Sequence, residues 1–275
     1  MEFPHIIGTG TVPERLKQYY EDYLHEYLIM IGGGSAYTSR LGGSTESNAS
    51  FPVLGHIDLT DGFHRSDKGS FTWILTPEEE RTKSYKGIFT EGEIYRILGY
   101  PYKGGHSFYP AKVLEGGLGN PFLEGLMEEF NRPVTMHSEL FGELKLNKRY
   151  GVFYGKFNWL GTEIEVSFNT DEDDDAGCLA HLEEFCRDAE RRDKEIREYA
   201  ADELTYLAND WRDDDHLDEE ITEEDFARRI VISNVEMSSE GDWYVWFEDG
   251  DMFAGHSVRV HGEAMGPPSY ASMEG

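Results

Sequence analysis

The sequence predicts an α+β protein with two β-rich units, each built from antiparallel strands and packed by helices. Short runs rich in β-branched and aromatic residues alternate with turns that contain Gly, Asp and Pro, which predicts strands over much of the chain. Apolar residues at steps of three, four and seven predict one long acidic helix in the C-terminal unit. Hydrophobic residues make up 39% of the chain and aromatic residues 13%, which is enough for packed cores.

The chain is expected to divide into four segments. They are an N-terminal helix and Gly/Ser-rich loop segment over residues 1–69, a small α+β domain over 70–136, a C-terminal α+β domain over 137–264, and a loose tail over 265–275. The loop prediction comes from "SAYTSRLGGSTESNAS", which offers little to bury. The tail, "EAMGPPSYASMEG", lacks any periodic apolar pattern and is therefore expected to be loose.

In the N-terminal half, residues 11–31 are predicted as a helix because their leucines and tyrosines follow helical spacing. The glycine triplet that follows would end it. Residues 51–113 contain the runs "FPVLGHIDL", "SFTWIL", "EIYRILGY" and "HSFYPAKVL", which predict short strands. Residues 120–131 are predicted as a second helix, which begins after the favoured N-cap residue Asn120.

In the C-terminal half, residues 138–170 alternate polar and apolar side chains and predict an antiparallel meander, with Gly161 in a hairpin turn. The long helix is predicted over 177–209, and a short helix follows at about 222–230 with Thr222 as its N-cap. The runs "RIVISNVEMS", "DWYVWFED" and "MFAGHSVRVHG" predict three further antiparallel strands.

The two cysteines, Cys178 and Cys186, are predicted to be free thiols. Eight residues of helix would separate them by roughly 12 Å, whereas a disulfide needs Cα atoms within about 7 Å. Free thiols indicate a reducing compartment. Neither a membrane span of about 20 apolar residues nor a signal peptide is visible in the sequence. The sequence therefore predicts a cytoplasmic protein.

The charge of the chain limits its possible partners. The formal net charge is −29 and the sequence pI is about 4.6. So large a negative charge repels phosphate backbones and anionic lipid surfaces, which argues against direct nucleic-acid binding and against membrane binding. A basic protein partner or a multivalent cation is favoured instead.

Much of this charge is concentrated between Asp171 and Asp225, a segment that we name the acidic belt. It holds 24 Asp and Glu against 6 Lys and Arg, a difference (24 − 6) of 18 negative charges. The residues predicted to bind a partner are Asp171, Asp173, Asp174, Asp175, Asp213, Asp214, Asp215, Asp218, Glu219 and Glu220. The segment lacks the glycine of an EF-hand loop, so the sequence leaves its metal binding unknown.

The stretch "FEDGDMFAGHSVRV" contains an alternative polar site formed by Asp249, Asp251 and His256. Asp-Gly between alternating strands is a strong hairpin signal, so the aspartates are interpreted as turn residues. His256 is predicted to lie in the return strand, where alternation directs it away from Asp251. A structural histidine is therefore favoured over a catalytic or metal-binding one.

A second polar group, His56, Asp58 and His64, lies in "GHIDLTDGFH" and is a weaker candidate metal site. No nucleophile elbow, zinc-protease motif, Cys–His cluster or phosphate-binding loop is present. The sequence therefore assigns no catalytic residue and no cofactor.

Four stretches carry a family resemblance: "LFGELKLNKRYGVFYGKFNWLGTEIEV", "IREYAADELTYLANDW", "ITEEDFARRI" and "FEDGDMFAGHSVRV". In this order, within residues 138–262, they resemble a bacterial family of domains of unknown function, number twenty-two sixty-two. Residues 70–136 look like the small domain that often precedes it. The resemblance implies a cytoplasmic bacterial or phage-related protein and supplies no activity. By analogy alone, its relatives look similar to small acidic proteins of toxin–immunity and defence-related neighbourhoods.

The leading functional hypothesis is a non-enzymatic binding protein that neutralises a basic protein partner through the acidic belt, as an immunity or anti-defence factor does. The alternative is an enzyme or a small-ligand or metal-binding protein with a site between the two β-rich units. A third possibility is a structural component of a phage or mobile element.

Overall fold

A computed structural model describes residues 3–34, 36–40, 46–170, 174–211 and 220–275. The chain forms two compact units, and each has its own sheet and its own core. We refer to them as the N-terminal unit, Met1–Arg132, and the C-terminal unit, Pro133–Gly275. Two antiparallel-dominated sheets with a few helices agree with the predicted α+β class.

The N-terminal unit is built on one antiparallel sheet. Its strands are β1 (His5–Ile6), β2 (His25–Ile31), β3 (Tyr37–Arg40), β4 (Ser47–Asp58), β5 (His64–Arg65), β6 (Gly69–Ile74), β7 (Ile94–Pro101) and β8 (Phe108–Leu118). They follow the order β1-β8-β7-β2-β4-β3, and β5 and β6 also pair with β4. The long strand β4 therefore pairs with four other strands of this unit.

Helices α1 (Pro77–Thr82) and α2 (Pro121–Asn131) complete the N-terminal unit, with short 3-10 helices at Glu14–Leu16 and Ser84–Gly87. Helix α2 confirms its prediction, because the Asn120 side chain accepts hydrogen bonds from the N–H groups of the two residues after Pro121. Its Leu123 is fully buried against apolar residues of β2 and β4.

The helix predicted over residues 11–31 is wrong. Only the 3-10 helix at Glu14–Leu16 forms there, and residues from His25 onwards form β2. Strand β2 lies between β4 and β7, and four of its seven residues are buried. A central strand is covered on both faces, so its apolar run has no clear alternation and also fits helical spacing.

The predicted boundary between residues 69 and 70 is also wrong as a division between folding units. Strand β4, from the first predicted segment, pairs with β6 from the second, and β2 pairs with β7. Strands that share hydrogen bonds within one sheet cannot form separate units. The structure divides instead between Arg132 and Pro133, close to the boundary predicted between 136 and 137.

The C-terminal unit has a second eight-stranded sheet. Its strands, in spatial order from the far edge, are β16 (Pro268–Glu274), β15 (Ser257–Gly262), β14 (Trp243–Glu248), β13 (Val231–Met237), β12 (Thr162–Asn169), β11 (Val152–Trp159), β10 (Gly142–Asn147) and β9 (Thr135–Ser138). Neighbours are antiparallel except β12 and β13, which are parallel because the helical segment between them crosses over the sheet. The meander is confirmed, and Gly161 lies in the β11–β12 turn with φ of 101°.

Helices α3 (Asp175–Arg187), α4 (Ala189–Asp210) and α5 (Glu223–Arg229) supply apolar side chains to one core together with the sheet. The single helix predicted over 177–209 is two helices, separated at Asp188. The break lets each helix direct its own apolar residues into this core. Asp193, which interrupts the apolar stripe, accepts a hydrogen bond of 2.9 Å from Trp159 Nε1.

Two smaller expectations have different outcomes. Cys178 and Cys186 are both buried and form no disulfide, as predicted, and burial raises the pKa of the Cys186 thiol. The tail predicted as loose over 265–275 instead contains β16, which pairs along β15. An edge strand can form from a weakly apolar segment because its backbone groups gain partners along one side. Within the described residues, no helix has the length and apolarity needed to cross a membrane.

Candidate functional site

Most of the residues predicted to bind a partner lie outside the described residues, namely Asp171, Asp173, Asp213, Asp214, Asp215, Asp218 and Glu219. Of the other three, Asp174 is the N-cap of α3, and its carboxylate accepts a hydrogen bond of 2.9 Å from the N–H of Gly177. Asp175 lies in the first turn of α3, where a negative charge interacts favourably with the helix dipole. Glu220 is exposed shortly before α5.

The described part of the acidic belt contains a compact anionic surface on α4. Asp202, Glu203 and Asp210 are exposed, and Tyr206 exposes 67% of its surface among them. These residues lie at i−4, i−3 and i+4 from the tyrosine, so all four share one helix face. We name this surface the α4 patch.

The basic side chains of the helices do not neutralise the α4 patch. Within the described part of the chain, the ion pairs of α3, α4 and α5 join Arg187 to Glu183, Arg191 to Asp188 and Glu195, Lys194 to Glu198, Arg197 to Asp193, and Arg228 to Asp225. The three patch carboxylates have no ion-pair partner among the described residues. Among the described residues, therefore, no ion pair offsets the negative charge of the patch.

The stretch around Asp249 forms an eight-residue loop, because Glu248 at the end of β14 pairs with Ser257 at the start of β15. The predicted two-residue Asp-Gly turn is therefore wrong, although the interpretation of Asp249 as a turn residue is supported. Asp249 is only 5% exposed. Its carboxylate accepts three backbone hydrogen bonds, from Asp251 at 3.2 Å, Phe253 at 2.7 Å and Gly255 at 3.0 Å.

The other two residues of this predicted polar site also have local roles. Asp251 is exposed and has a φ of 63° in the loop. His256 lies in the loop and not in the return strand, so its predicted strand position is wrong. Its Nδ1 donates to the carbonyl of Phe253 at 2.6 Å, and its ring contacts Trp211 edge-on. The structure thus gives Asp249 and His256 loop-stabilising hydrogen bonds.

Among the described residues, one group of three potential metal ligands converges, and it lies in the N-terminal unit. Candidate ligand atoms of His25, Asp58 and Asp61 all lie within 4.8 Å of one another. His25 Nδ1 is 2.6 Å from Oδ2 of Asp58, whose residue is 6% exposed. The other oxygen, Oδ1, accepts backbone hydrogen bonds from Thr60 at 2.8 Å and Asp61 at 3.3 Å.

Hydrogen bonding keeps Asp58 anionic despite its burial. Burial alone would raise the pKa of the carboxyl group, but hydrogen bonds from His25 and from the N–H groups of Thr60 and Asp61 lower it below its ordinary value. Burial, followed by the charge of Asp58, raises the pKa of the neighbouring Tyr27 phenol. The site therefore holds a carboxylate, an imidazole and a neutral phenol close together.

The predicted group of His56, Asp58 and His64 is not assembled as a ligand set. His56 is buried edge-on against aromatic rings, and burial followed by the charge of Arg65 lowers its pKa to about 4. His64 is exposed and contacts the ring of Phe122. His25 was missed because it fell within the wrongly predicted helix.

The comparisons with known proteins concern the C-terminal unit. Residues 138–273 match the family described as "Uncharacterized protein conserved in bacteria (DUF2262)". Neither the curated proteins nor the solved structures contain a match to the chain. The family match does not extend to residues 70–136, so their resemblance to the domain that precedes this family stays a prediction. The C-terminal half of the chain belongs to the DUF2262 family of bacterial proteins.

Proposed function

We propose that the protein is a non-enzymatic binding protein that engages and neutralises a basic protein partner, as immunity and anti-defence proteins do. The observation that carries this proposal is the α4 patch, where an exposed tyrosine stands among three carboxylates that lack ion-pair partners in the described residues. A net charge of −29 adds a long-range attraction for basic surfaces.

The patch combines two properties that protein interfaces use. Clustered charge accelerates the encounter with a partner of opposite sign and rejects partners of the same sign. An exposed tyrosine offers a rigid contact area, and tyrosines are enriched among the residues that dominate binding energy. Tyr206 would therefore provide the central contact, and Asp202, Glu203 and Asp210 would orient the basic partner around it.

The first prediction concerns the salt dependence of this binding. Affinity capture from the native host, followed by mass spectrometry, is expected to recover a basic protein. Its affinity, measured by calorimetry, should fall about tenfold or more between about 50 and about 500 mM NaCl, because salt screens exposed charges. A partner whose affinity is insensitive to salt would contradict the proposal.

The combined substitution Asp202→Asn, Glu203→Gln and Asp210→Asn should slow association with that partner by about tenfold or more. A matched control carries Glu128→Gln, Glu139→Gln and Glu240→Gln, which remove three exposed carboxylates elsewhere. This control variant should associate with the partner at nearly the rate of the unmodified protein. Equal association rates for the two triple variants would show that the net charge of the protein controls association and that the α4 patch does not.

A second candidate function is divalent-metal binding, which the convergence of His25, Asp58 and Asp61 favours. One imidazole and two carboxylates form a ligand set that Zn²⁺ and Mn²⁺ accept. In this arrangement a metal would replace the direct hydrogen bond between His25 and Asp58.

Calorimetric titration with Zn²⁺ is expected to show one site per chain if this second function holds. His25→Ala should weaken binding by about a hundredfold, because one ligand of three is lost. His64→Ala is the matched control, since this exposed histidine also lies on a strand that pairs with β4 but is outside the group. Identical titrations for the two variants would exclude the group as the binding site.

A further inference from the structure

The C-terminal sheet presents a polar and aromatic face opposite its helices. Along β12 and β13, the residues of the apolar core alternate with Glu165, Ser167, Asn234 and Glu236, and side chains alternate between the two faces of a strand. The register aligns Tyr154 with Ser167 and Ser167 with Glu236 across three neighbouring strands.

A cavity of about 370 Å³ lies on this face. Its lining consists of Asn147, Tyr150, Val152, Tyr154, Glu165, Ser167, Asn234 and Glu236. None of these side chains carries a positive charge, and most of them offer an oxygen that can accept a hydrogen bond. The cavity is therefore suited to a ligand that donates hydrogen bonds.

Two carboxylates, those of Glu165 and Glu236, line this cavity. Burial, together with the charge of Glu165, raises the pKa of Glu236. Two basic residues of neighbouring strands are engaged by other carboxylates, because Lys156 pairs with Glu163, and Arg259 pairs with Glu274 at 2.9 Å. Within the described residues, neither Glu165 nor Glu236 forms an ion pair. A bound cation would relieve their mutual repulsion.

Asn234 adds an independent observation. Its Nδ2 donates to Glu236 at 3.3 Å, whereas its Oδ1 is buried and has no hydrogen-bond partner among the described residues. An unpaired buried acceptor is costly, by about 1–3 kcal/mol. This amide thus leaves one acceptor for a donor group beside the carboxylate of Glu236.

Two aromatic rings stand at the opening of the cavity. Tyr150 is 70% exposed and Tyr154 is 39% exposed, so both rings are accessible to a ligand. Cations bind favourably over the faces of such rings. Aromatic rings beside carboxylates are better suited to an organic cation than to a metal ion, which prefers a shell of oxygen ligands.

We infer that this cavity binds a guanidinium or alkylammonium group, held by Glu165, Glu236 and Asn234 and flanked by Tyr150 and Tyr154. The group could be supplied by a small molecule or by an Arg or Lys side chain of a protein. The inference goes beyond the proposed function, because the cavity lies on the face of the sheet opposite the helices and does not involve the α4 patch.

The test is an NMR titration of the full chain with N-acetyl-arginine amide and N-acetyl-lysine amide, whose only charge is on the side chain. Saturable shifts are expected for residues around Glu236, with a dissociation constant of about 1 mM or lower. N-acetyl-norleucine amide, which is neutral, should produce no saturable shifts there. If neither cationic probe produces saturable shifts, the inference is wrong.

Substitutions of the two cavity carboxylates test whether the cationic probes bind in this cavity. We expect probe binding to weaken by about tenfold in Glu236→Gln and by about tenfold in Glu165→Gln. Because Glu165 is exposed, its substitution tests the inference even if Glu236→Gln impairs folding. Glu263→Gln removes an exposed carboxylate of the same unit outside the cavity and should bind normally. Unchanged affinity in both cavity variants would overturn the inference.

A short Gly/Ser peptide with one central arginine distinguishes the two sources of the cation. Binding about tenfold tighter than that of N-acetyl-arginine amide would identify a protein side chain as the ligand, because backbone contacts add to the affinity. Equal affinity would identify a small organic cation. Since the α4 patch is unchanged in the cavity variants, a failure here would leave the partner-binding test unaffected.

Discussion

Replacement of Arg192 by alanine is expected to destabilise the C-terminal unit by about 3–5 kcal/mol, because it removes a buried, hydrogen-bonded charge. Arg192 is 6% exposed on α4. Its guanidinium donates to the carbonyls of Met265 and Gly266, both at 2.7 Å, and stacks 4.8 Å from the centre of the Phe185 ring. The substitution leaves two carbonyls without these donors and a space beside the aromatic rings.

The adjacent residue provides a matched control. Arg191 is exposed and forms ion pairs with Asp188 and Glu195 on the helix surface. Exposed ion pairs contribute little to stability, so Arg191→Ala should leave the unfolding midpoint nearly unchanged. Urea denaturation followed by tryptophan fluorescence measures both, because four of the five tryptophans lie in the C-terminal unit. Equal midpoints for the two variants would contradict the structural role of Arg192.

Asp249→Ala is expected to lower the free energy of unfolding by about 3 kcal/mol. The carboxylate is buried and accepts three backbone N–H groups of its loop, and the N–H of Phe253 has no access to replacement water. Asp249→Asn should cost less, since the amide oxygen retains part of this acceptor capacity.

Asp251→Asn is the control for Asp249, because this exposed residue has a positive φ that asparagine also tolerates. It should remain as stable as the unmodified protein in the same urea experiment. If Asp249→Ala unfolds at the same urea concentration as the unmodified protein, the carboxylate does not organise the loop. A role for this carboxylate in binding or chemistry would then gain support.

Local sequence signals predicted several elements correctly. Asn120 and Thr222 mark helix starts because each side chain accepts a hydrogen bond from a backbone N–H within three residues. Gly161 marks the hairpin because its neighbours alternate and its own φ is positive. Such signals depend only on residues close in the chain, so no tertiary information was required.

Other elements depend on distant partners, and their predictions failed. Residues 25–31 carry an apolar run that fits a helix, and pairing with β4 and β7 makes it a strand. The tail forms β16 because β15 is available beside it. The loop from 249 to 256 is longer than an Asp-Gly turn because the buried carboxylate at its start binds three backbone groups.

Charge, composition and periodicity were sufficient for the sequence by itself to determine the α+β class, the excess of negative charge and its concentration in one segment. Only the tertiary structure brought His25 next to Asp58, placed Glu165 and Glu236 on one face, and left the carboxylates around Tyr206 without an ion pair in the part of the chain that the structure describes. These arrangements arise from strand register and from the packing of helices on a sheet. Both are contacts between residues far apart in the chain, which no local pattern encodes.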